Sequence, residues 1–216
     1  MVERQRLISH KQIESQKIYH IVKRFFDIAM SAIGLIGLSP VMAIIAYKIK
    51  HEDGGPIVYK QTRIGKNGKK FEMYKFRSMI VNADQLIVKL QDENEVDGAM
   101  FKMKHDPRIT NIGHFIRKHS LDELPQLVNV IKGDMSLVGP RPPLPSEVQQ
   151  YTDYDKQRLY VIPGCTGLWQ ATERNNVGFN EMVELDLKYI RRASFSYDLW
   201  IIWKTIAVIF RPNGSY

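Results

Sequence analysis

From Ile28 to Tyr47 the chain carries no Asp, Glu, Lys or Arg. Twenty residues in a helix rise about 30 Å, the thickness of the hydrocarbon layer of a bilayer. This stretch therefore predicts a helix that enters a membrane. Ser39-Pro40 interrupts it, with Gly34 and Gly37 just before. Proline removes a helical hydrogen bond and kinks or breaks the helix. Two outcomes follow: a kinked span, or a helix that turns and leaves by the face it entered. The length of the run and the lack of an A-x-A-like cleavage site argue against a secretory signal peptide. The core helix of a soluble protein is the remaining rival.

Lys23 and Arg24 precede the run, and Lys48 and Lys50 follow it. Positive flanks at both ends favour both ends on the cytoplasmic side. Residues 1–22 precede them as a basic tail with partial helical amphipathicity, suited to an anionic membrane surface or to a disordered arm. Over 216 residues, 31 Lys and Arg against 23 Asp and Glu leave a formal net charge of +8. That balance points to anionic lipid, a phosphorylated substrate or nucleic acid. The single cysteine, Cys165, excludes an intrachain disulfide framework and a multi-cysteine metal site.

After Gly54-Gly55-Pro56, alternating residues on both sides of Asn67-Gly68 predict a β-hairpin. Lys75 and Arg77, two apart on its second strand, share a face, either a solvated edge or the wall of an anion site. Ala83 to Glu95 reads as a surface helix and Ile112 to His119 as a short helix carrying Arg117. Gly139-Pro140-Arg141-Pro142-Pro143 puts Arg141 on a stiff support, as a phosphate ligand or within a polyproline-type linker. Ser146 to Tyr160 reads as a polar helix, and Val161 to Gln170 as a strand or loop. Arg174 lies in a polar loop, and Asp186 on an amphipathic helix from Asn180 to Arg192. Phe195 to Phe210, with Trp200 and Trp203, is too short to span and reads as a helix in the headgroup layer, with a core helix as its rival.

His119-Ser120-Leu121-Asp122-Glu123-Leu124-Pro125-Gln126 sets two adjacent carboxylates ahead of the apolar series Leu124, Leu127, Val128, Ile131. It predicts a helix that begins near Ser120 to Asp122. Ser120-Leu-Asp-Glu123 also matches a capping box, so both acids have an ordinary structural explanation.

Taken together, these blocks resemble the bacterial sugar transferases, the monotopic polyprenyl-phosphate phosphoglycosyltransferases. The resemblance runs in order from Lys23-Arg24-Phe25-Phe26-Asp27 through Ser39-Pro40, Gly55-Pro56-Ile57-Val58-Tyr59, Gln61-Thr62-Arg63-Ile64-Gly65 and Tyr74-Lys75-Phe76-Arg77-Ser78-Met79. It continues through Asp106-Pro107-Arg108-Ile109-Thr110, the Asp122-Glu123 block, Gly139-Pro140-Arg141-Pro142 and Pro163-Gly164-Cys165-Thr166-Gly167. Cys165 and Thr172-Glu173 depart from the commonest residues of the pattern.

The resemblance implies an α+β, mainly helical fold. Its parts are a basic tail (1–22), a re-entrant membrane helix-break-helix turning at Ser39 and Pro40 (23–50), and a cytoplasmic catalytic domain (51–212). That domain holds a small β-hairpin and interfacial amphipathic helices, the last at about 195–210. The implied reaction moves a sugar 1-phosphate from a UDP-sugar to polyprenyl (undecaprenyl) phosphate, releases UMP and initiates capsule or exopolysaccharide synthesis. Asp122 would be the nucleophile and a Mg²⁺ ligand, with Glu123 beside it. Lys75, Arg77, Arg117, Arg141 and Arg174 would bind phosphate, and Asp186 matches a further acidic position. The implied location is the cytoplasmic face of the cell membrane, on the inner leaflet, with no nucleic acid and with room for a homo-oligomer. The alternative is a non-enzymatic membrane scaffold that grips anionic lipid; it leaves two carboxylates among basic residues unexplained.

Overall fold

The computed structural model describes residues 7–87, 103, 106–173 and 177–210. Helix α1 (His10–Ser15) leads into α2 (Lys17–Asp53), 37 residues long. At 1.5 Å per residue α2 is about 55 Å long. It is the one helix among the described residues long and apolar enough to cross a membrane. Helical backbone continues through Ser39 and Pro40. Pro40 has no N–H for the Ile36 carbonyl, and Ser39 Oγ donates to that oxygen instead, at 2.7 Å. The expected break in the helix is therefore absent from the backbone pattern, because a neighbouring hydroxyl takes over the missing bond.

Both arms of α2 rest on the rest of the molecule. On the N-terminal arm, Arg24 donates to the carbonyls of Val130 and Ile131. Asp27 accepts from Ser136 Oγ and the Leu137 amide. On the C-terminal arm Ile45 and Ile49 are buried against Phe76 and Ile116. Glu52 accepts the amides of Asn111 and Ile112, and Asp53 pairs with Arg77. Between the arms, residues 36–41 are all exposed.

Strands β1 (Val58–Ile64) and β2 (Lys70–Phe76) form the expected antiparallel hairpin, with Thr62 opposite Glu72. Asn67 at φ 55° and Gly68 at φ 78° supply the left-handed turn that this residue pair favours. Helix α3 (Ala83–Ile87) starts the expected surface helix, whose continuation to Glu95 lies outside the described residues. Helix α4 (Asn111–Lys118) is capped by Thr110, whose hydroxyl accepts from the Gly113 amide.

The Asp122-Glu123 block folds differently from the sequence reading. Leu121–Glu123 is a 3₁₀ turn, and α5 (Gln126–Lys132) begins only after Pro125. Ser120 is left-handed, at φ 55°, and its side chain caps nothing. The capping box is thus not formed: a left-handed residue does not have the extended backbone of a helix N-cap. Leu121 and Leu124 pull the turn onto the apolar cluster of Ile45, Ile49 and Ile116.

Two three-residue strands, β3 (Ser136–Val138) and β4 (Gly164–Thr166), pair in parallel. Their ladder continues past the strand ends: the Gly139 amide donates to Thr166 and the Gly164 amide to Pro140, each at 2.9 Å. The backbones meet so closely that a Cβ at Gly164 would lie 2.1 Å from the Gly139 nitrogen.

The polar segment after Pro143 is two pieces, not one helix: α6 (Pro145–Gln149) and a 3₁₀ run over Asp155–Tyr160. Thr152 and Asp155 exchange side-chain and backbone bonds of 2.7 to 3.3 Å, which starts the second piece afresh. Helices α7 (Leu168–Thr172), α8 (Phe179–Arg192) and α9 (Phe195–Phe210) close the chain. Val138, Leu168, Val183, Leu187, Ile190 and Ile201 make the largest core cluster. Ile8 and Ile13 are buried in it, so this part of the N-terminal segment is not a free arm. Helix α9 packs into the core on one side, where Ile201 is fully buried, while Trp203 is 62% exposed.

Candidate active site

The turn that carries Asp122 and Glu123 is fixed from both sides. Leu121 and Leu124 anchor it to α2, and α5 holds its far end. Asn129 of α5 is fully buried and joins that helix to β2. Its Oδ1 accepts from the Tyr74 amide at 2.9 Å, and its Nδ2 donates to the Glu72 carbonyl at 2.7 Å. Those two groups bracket Met73, as the partners of a parallel strand would, so the side-chain amide acts as a third strand at the hairpin edge. The next residue of β2 is Lys75, whose Nζ bonds Glu123 Oε1 at 2.6 Å. Asn129 thus connects the strand that presents the cation to the helix that follows the acids.

Asp122 is half-buried beside Glu123. Burial pushes its carboxyl up to about 6, with Glu123 adding to the rise and Lys75 and Arg117 opposing it. A carboxyl that is mostly ionised at neutral pH, with two cations in electrostatic reach, is chemically suited to attack an electrophile that bears negative charge.

Next to the turn lies a polar cleft lined by Arg63, Lys75, Glu123, Gln126, Arg141 and Gln170, with Cys165 and Gly164 at its back. Asp122 adjoins the cleft and is not among its lining residues. Arg141 is 28% exposed, 3.6 Å from Glu147. Behind it Arg63 is buried; its Nη1 donates to the Pro142 carbonyl at 3.0 Å and its Nη2 to Gln61 at 2.6 Å. Arg63 therefore ties β1 to the proline-stiffened loop that carries Arg141. Burial and the Arg141 charge pull its guanidinium down to about 10, against Glu147 and Glu123. It remains a cation at neutral pH. Gln170 Oε1 accepts no hydrogen bond from the described residues.

Of the residues expected at a phosphate site, the structure brings Lys75 and Arg141 to this cleft, beside the expected catalytic Glu123, and Arg117 within electrostatic reach of Asp122. Arg77 is not brought there. Its guanidinium is buried on Asp53 and on the Pro56 carbonyl, where it fastens the end of α2 to the hairpin. Asp186 is fully buried and does not line the cleft; it lies 2.5 Å from Arg158 Nη2. Burial raises its carboxyl while Arg158 and Arg141 oppose the rise. Arg174 lies outside the described residues. Arg63, Asn129 and Gln170 escaped the sequence reading. Only Arg63 carries a local signal, the Gln61-x-Arg63 spacing that puts an acceptor beside a guanidinium on one strand face.

Among the described residues no three His, Cys, Asp or Glu side chains converge as a metal site. Two adjacent carboxylates do fit Mg²⁺, which takes one or two carboxylates, keeps waters and uses substrate phosphates.

The sequence profile described as bacterial sugar transferase matches residues 18–212. The galactosyl transferase CpsE of Streptococcus agalactiae is 48% identical over 196 residues, covering 90% of this chain and 43% of its own. The undecaprenyl-phosphate galactose phosphotransferase of Salmonella typhimurium is 46% identical, over 90% of this chain and 42% of its own. The exopolysaccharide production protein ExoY of Sinorhizobium fredii is 41% identical, over 91% of this chain and 88% of its own. The chain thus spans about two-fifths of the first two relatives and most of the third. With the profile matched over nearly all of its length, this chain belongs to the bacterial sugar transferase family.

Proposed function

We propose that the chain transfers a sugar 1-phosphate from a UDP-sugar to undecaprenyl phosphate at the cytoplasmic face of the membrane, releasing UMP and starting a capsule or exopolysaccharide unit. The observation that carries this reading is the half-buried Asp122, paired with Glu123, within reach of Lys75 and Arg117. In the first step an Asp122 carboxylate oxygen attacks the sugar-linked phosphorus. The bond from that phosphorus to the bridging oxygen breaks, and UMP leaves with the electron pair. In the second step an oxygen of the lipid phosphate attacks the same phosphorus and frees the Asp122 carboxylate. Glu123, steadied by Lys75 at 2.6 Å, takes the proton the acceptor loses. Arg141, held by the loop that Arg63 anchors, binds the diphosphate. Asp122 would hold Mg²⁺ together with the donor phosphates; the ion supplies charge neutralisation.

The membrane part of the proposal is a re-entrant α2. Both arms dock on one body while residues 36–41 stand clear of it, as a helix that dips into one leaflet and returns requires. The exposed aromatic side of α9, with Trp200 and Trp203, then lies in the headgroup layer.

The test is incubation of the detergent-solubilised chain with a panel of UDP-sugars and Mg²⁺, without acceptor. The expected result is one sugar-phosphate mass increment on Asp122 with stoichiometric UMP release. Full turnover by Asp122→Asn would overturn the assignment.

A further inference from the structure

A second cavity, of about 160 Å³, opens between the first turns of α2, the hairpin turn and the segment before β4. It shares no lining residue with the catalytic cleft. Val161, Ile162 and Ile190 form apolar wall; Lys23, Arg24 and Lys66 bring positive charge. Two of the charged groups around it are already committed. Lys23 bonds Asp198 at 2.9 Å, and Asp27 accepts from Ser136 and Leu137. The other two cations have no acidic partner among the described residues. Arg24 donates to two backbone carbonyls, at 2.5 and 2.8 Å, which leaves its charge uncancelled. Lys66 is exposed at the hairpin turn.

On its outer side α2 exposes Ile18, Ile21, Val22 and Phe25, and the uncharged run starts at Ile28. If α2 enters the bilayer as proposed above, on which this inference rests, the cavity lies where headgroups meet hydrocarbon. Cavities of roughly 150 Å³ hold a six-membered ring. A phosphate with a few linking carbons fits that space, whereas drug-sized ligands take about 300 Å³ or more. We propose that this cavity seats the phosphodiester headgroup of an anionic membrane phospholipid. The phosphate lies between Arg24 and Lys66, and the first carbons of the lipid rest on Val161, Ile162 and Ile190. The lipid would then hold the N-terminal arm of α2 at the membrane surface, apart from the chemistry.

Native mass spectrometry of the full chain in detergent, titrated with phosphatidylglycerol, phosphatidylcholine, undecaprenyl phosphate or glycerol 3-phosphate, tests this. The expected result is one tightly retained phosphatidylglycerol, weaker phosphatidylcholine, and glycerol 3-phosphate competing only at far higher concentration. Lys66→Glu lowers phosphatidylglycerol affinity roughly tenfold, while Lys60→Glu, a charge reversal on the same hairpin outside the cavity, leaves it unchanged. Equal retention by Lys66→Glu, or equal binding of phosphatidylcholine, overturns the proposal. So does Lys66-dependent displacement by undecaprenyl phosphate as the tighter ligand, which would assign the cavity to the acceptor. Co-sedimentation with phosphatidylcholine vesicles separates the two readings. A chain that binds vesicles of no composition loses the membrane reading as well; one that binds them without a phospholipid adduct loses only this inference.

Discussion

The proposed nucleophile, Asp122, is a carboxyl whose folded pKa, about 6, stands above the ordinary value of 3.8. Two consequences have opposite signs. A nucleophile must be ionised, so the initial rate of adduct formation should climb about tenfold per pH unit below 6 and level off above it; UMP release followed across that range checks this. Stability runs the other way. The protonated form is the one the fold favours, so its stabilisation is fully present below about pH 4 and is lost as pH rises through 6. Asp122→Asn removes the charge and should stabilise the fold at neutral pH by about 1–3 kcal/mol while abolishing the adduct, as thermal melting and mass spectrometry would read. Asn129 offers the complementary case. Asn129→Leu leaves the Tyr74 amide and Glu72 carbonyl without their partners, costs about 2–4 kcal/mol and frees Lys75 from its register against Glu123. Chemical denaturation and single-turnover rates should both fall. The sequence displayed Asp122 and Glu123 as neighbours, but nothing local pointed to Lys75, 48 residues away, as the partner of one of them.

Elements were legible where their determinants are local. Asn67-Gly68 encodes its hairpin in two residues, and α8 and α9 follow from spacing alone. The β3–β4 pair was not legible, because three-residue strands show no period and their glycines matter only when the second strand arrives. The start of α5 was misread for a similar reason. Ser120 has the residue type of a cap, but the docking of Leu121 and Leu124 on α2 sets its backbone. Helix α2 shows a finer local device, the hydroxyl of Ser39 standing in for the amide that Pro40 lacks. Ser39→Ala strands the Ile36 carbonyl and should destabilise the chain by about 1–3 kcal/mol in detergent. Pro40→Ala restores the amide and removes the ring on which the proposed re-entrant turn depends. In a Cys165→Ala background, cysteines placed at Lys17 and His51 should label from one side of the membrane with Pro40 present. With Pro40→Ala, a fraction should label from opposite sides.

At the scale of the molecule, three apolar clusters among the described residues share the work of folding, and the N-terminal segment belongs to the largest. Ile8 and Ile13 pack with Leu187, Ile190 and Ile201, and the Ile8 amide donates to Gln157 at 2.6 Å. Ile8→Ala or Ile13→Ala should each cost about 2–4 kcal/mol in denaturant unfolding. Charge and amphipathicity alone left this segment as a membrane-surface helix or a disordered arm, since a pair of isoleucines carries no mark of the core it joins. The leucines on either side of the acidic pair have a wider meaning. Leu121 and Leu124 grip α2, so if that helix dips toward the lipid and Asp122 is the nucleophile, as proposed, the carboxylate has a built-in depth gauge. How far α2 sinks decides how high Asp122 rides above the acyl chains. A bilayer of different thickness would then alter the encounter with the long-chain acceptor and leave the soluble donor indifferent.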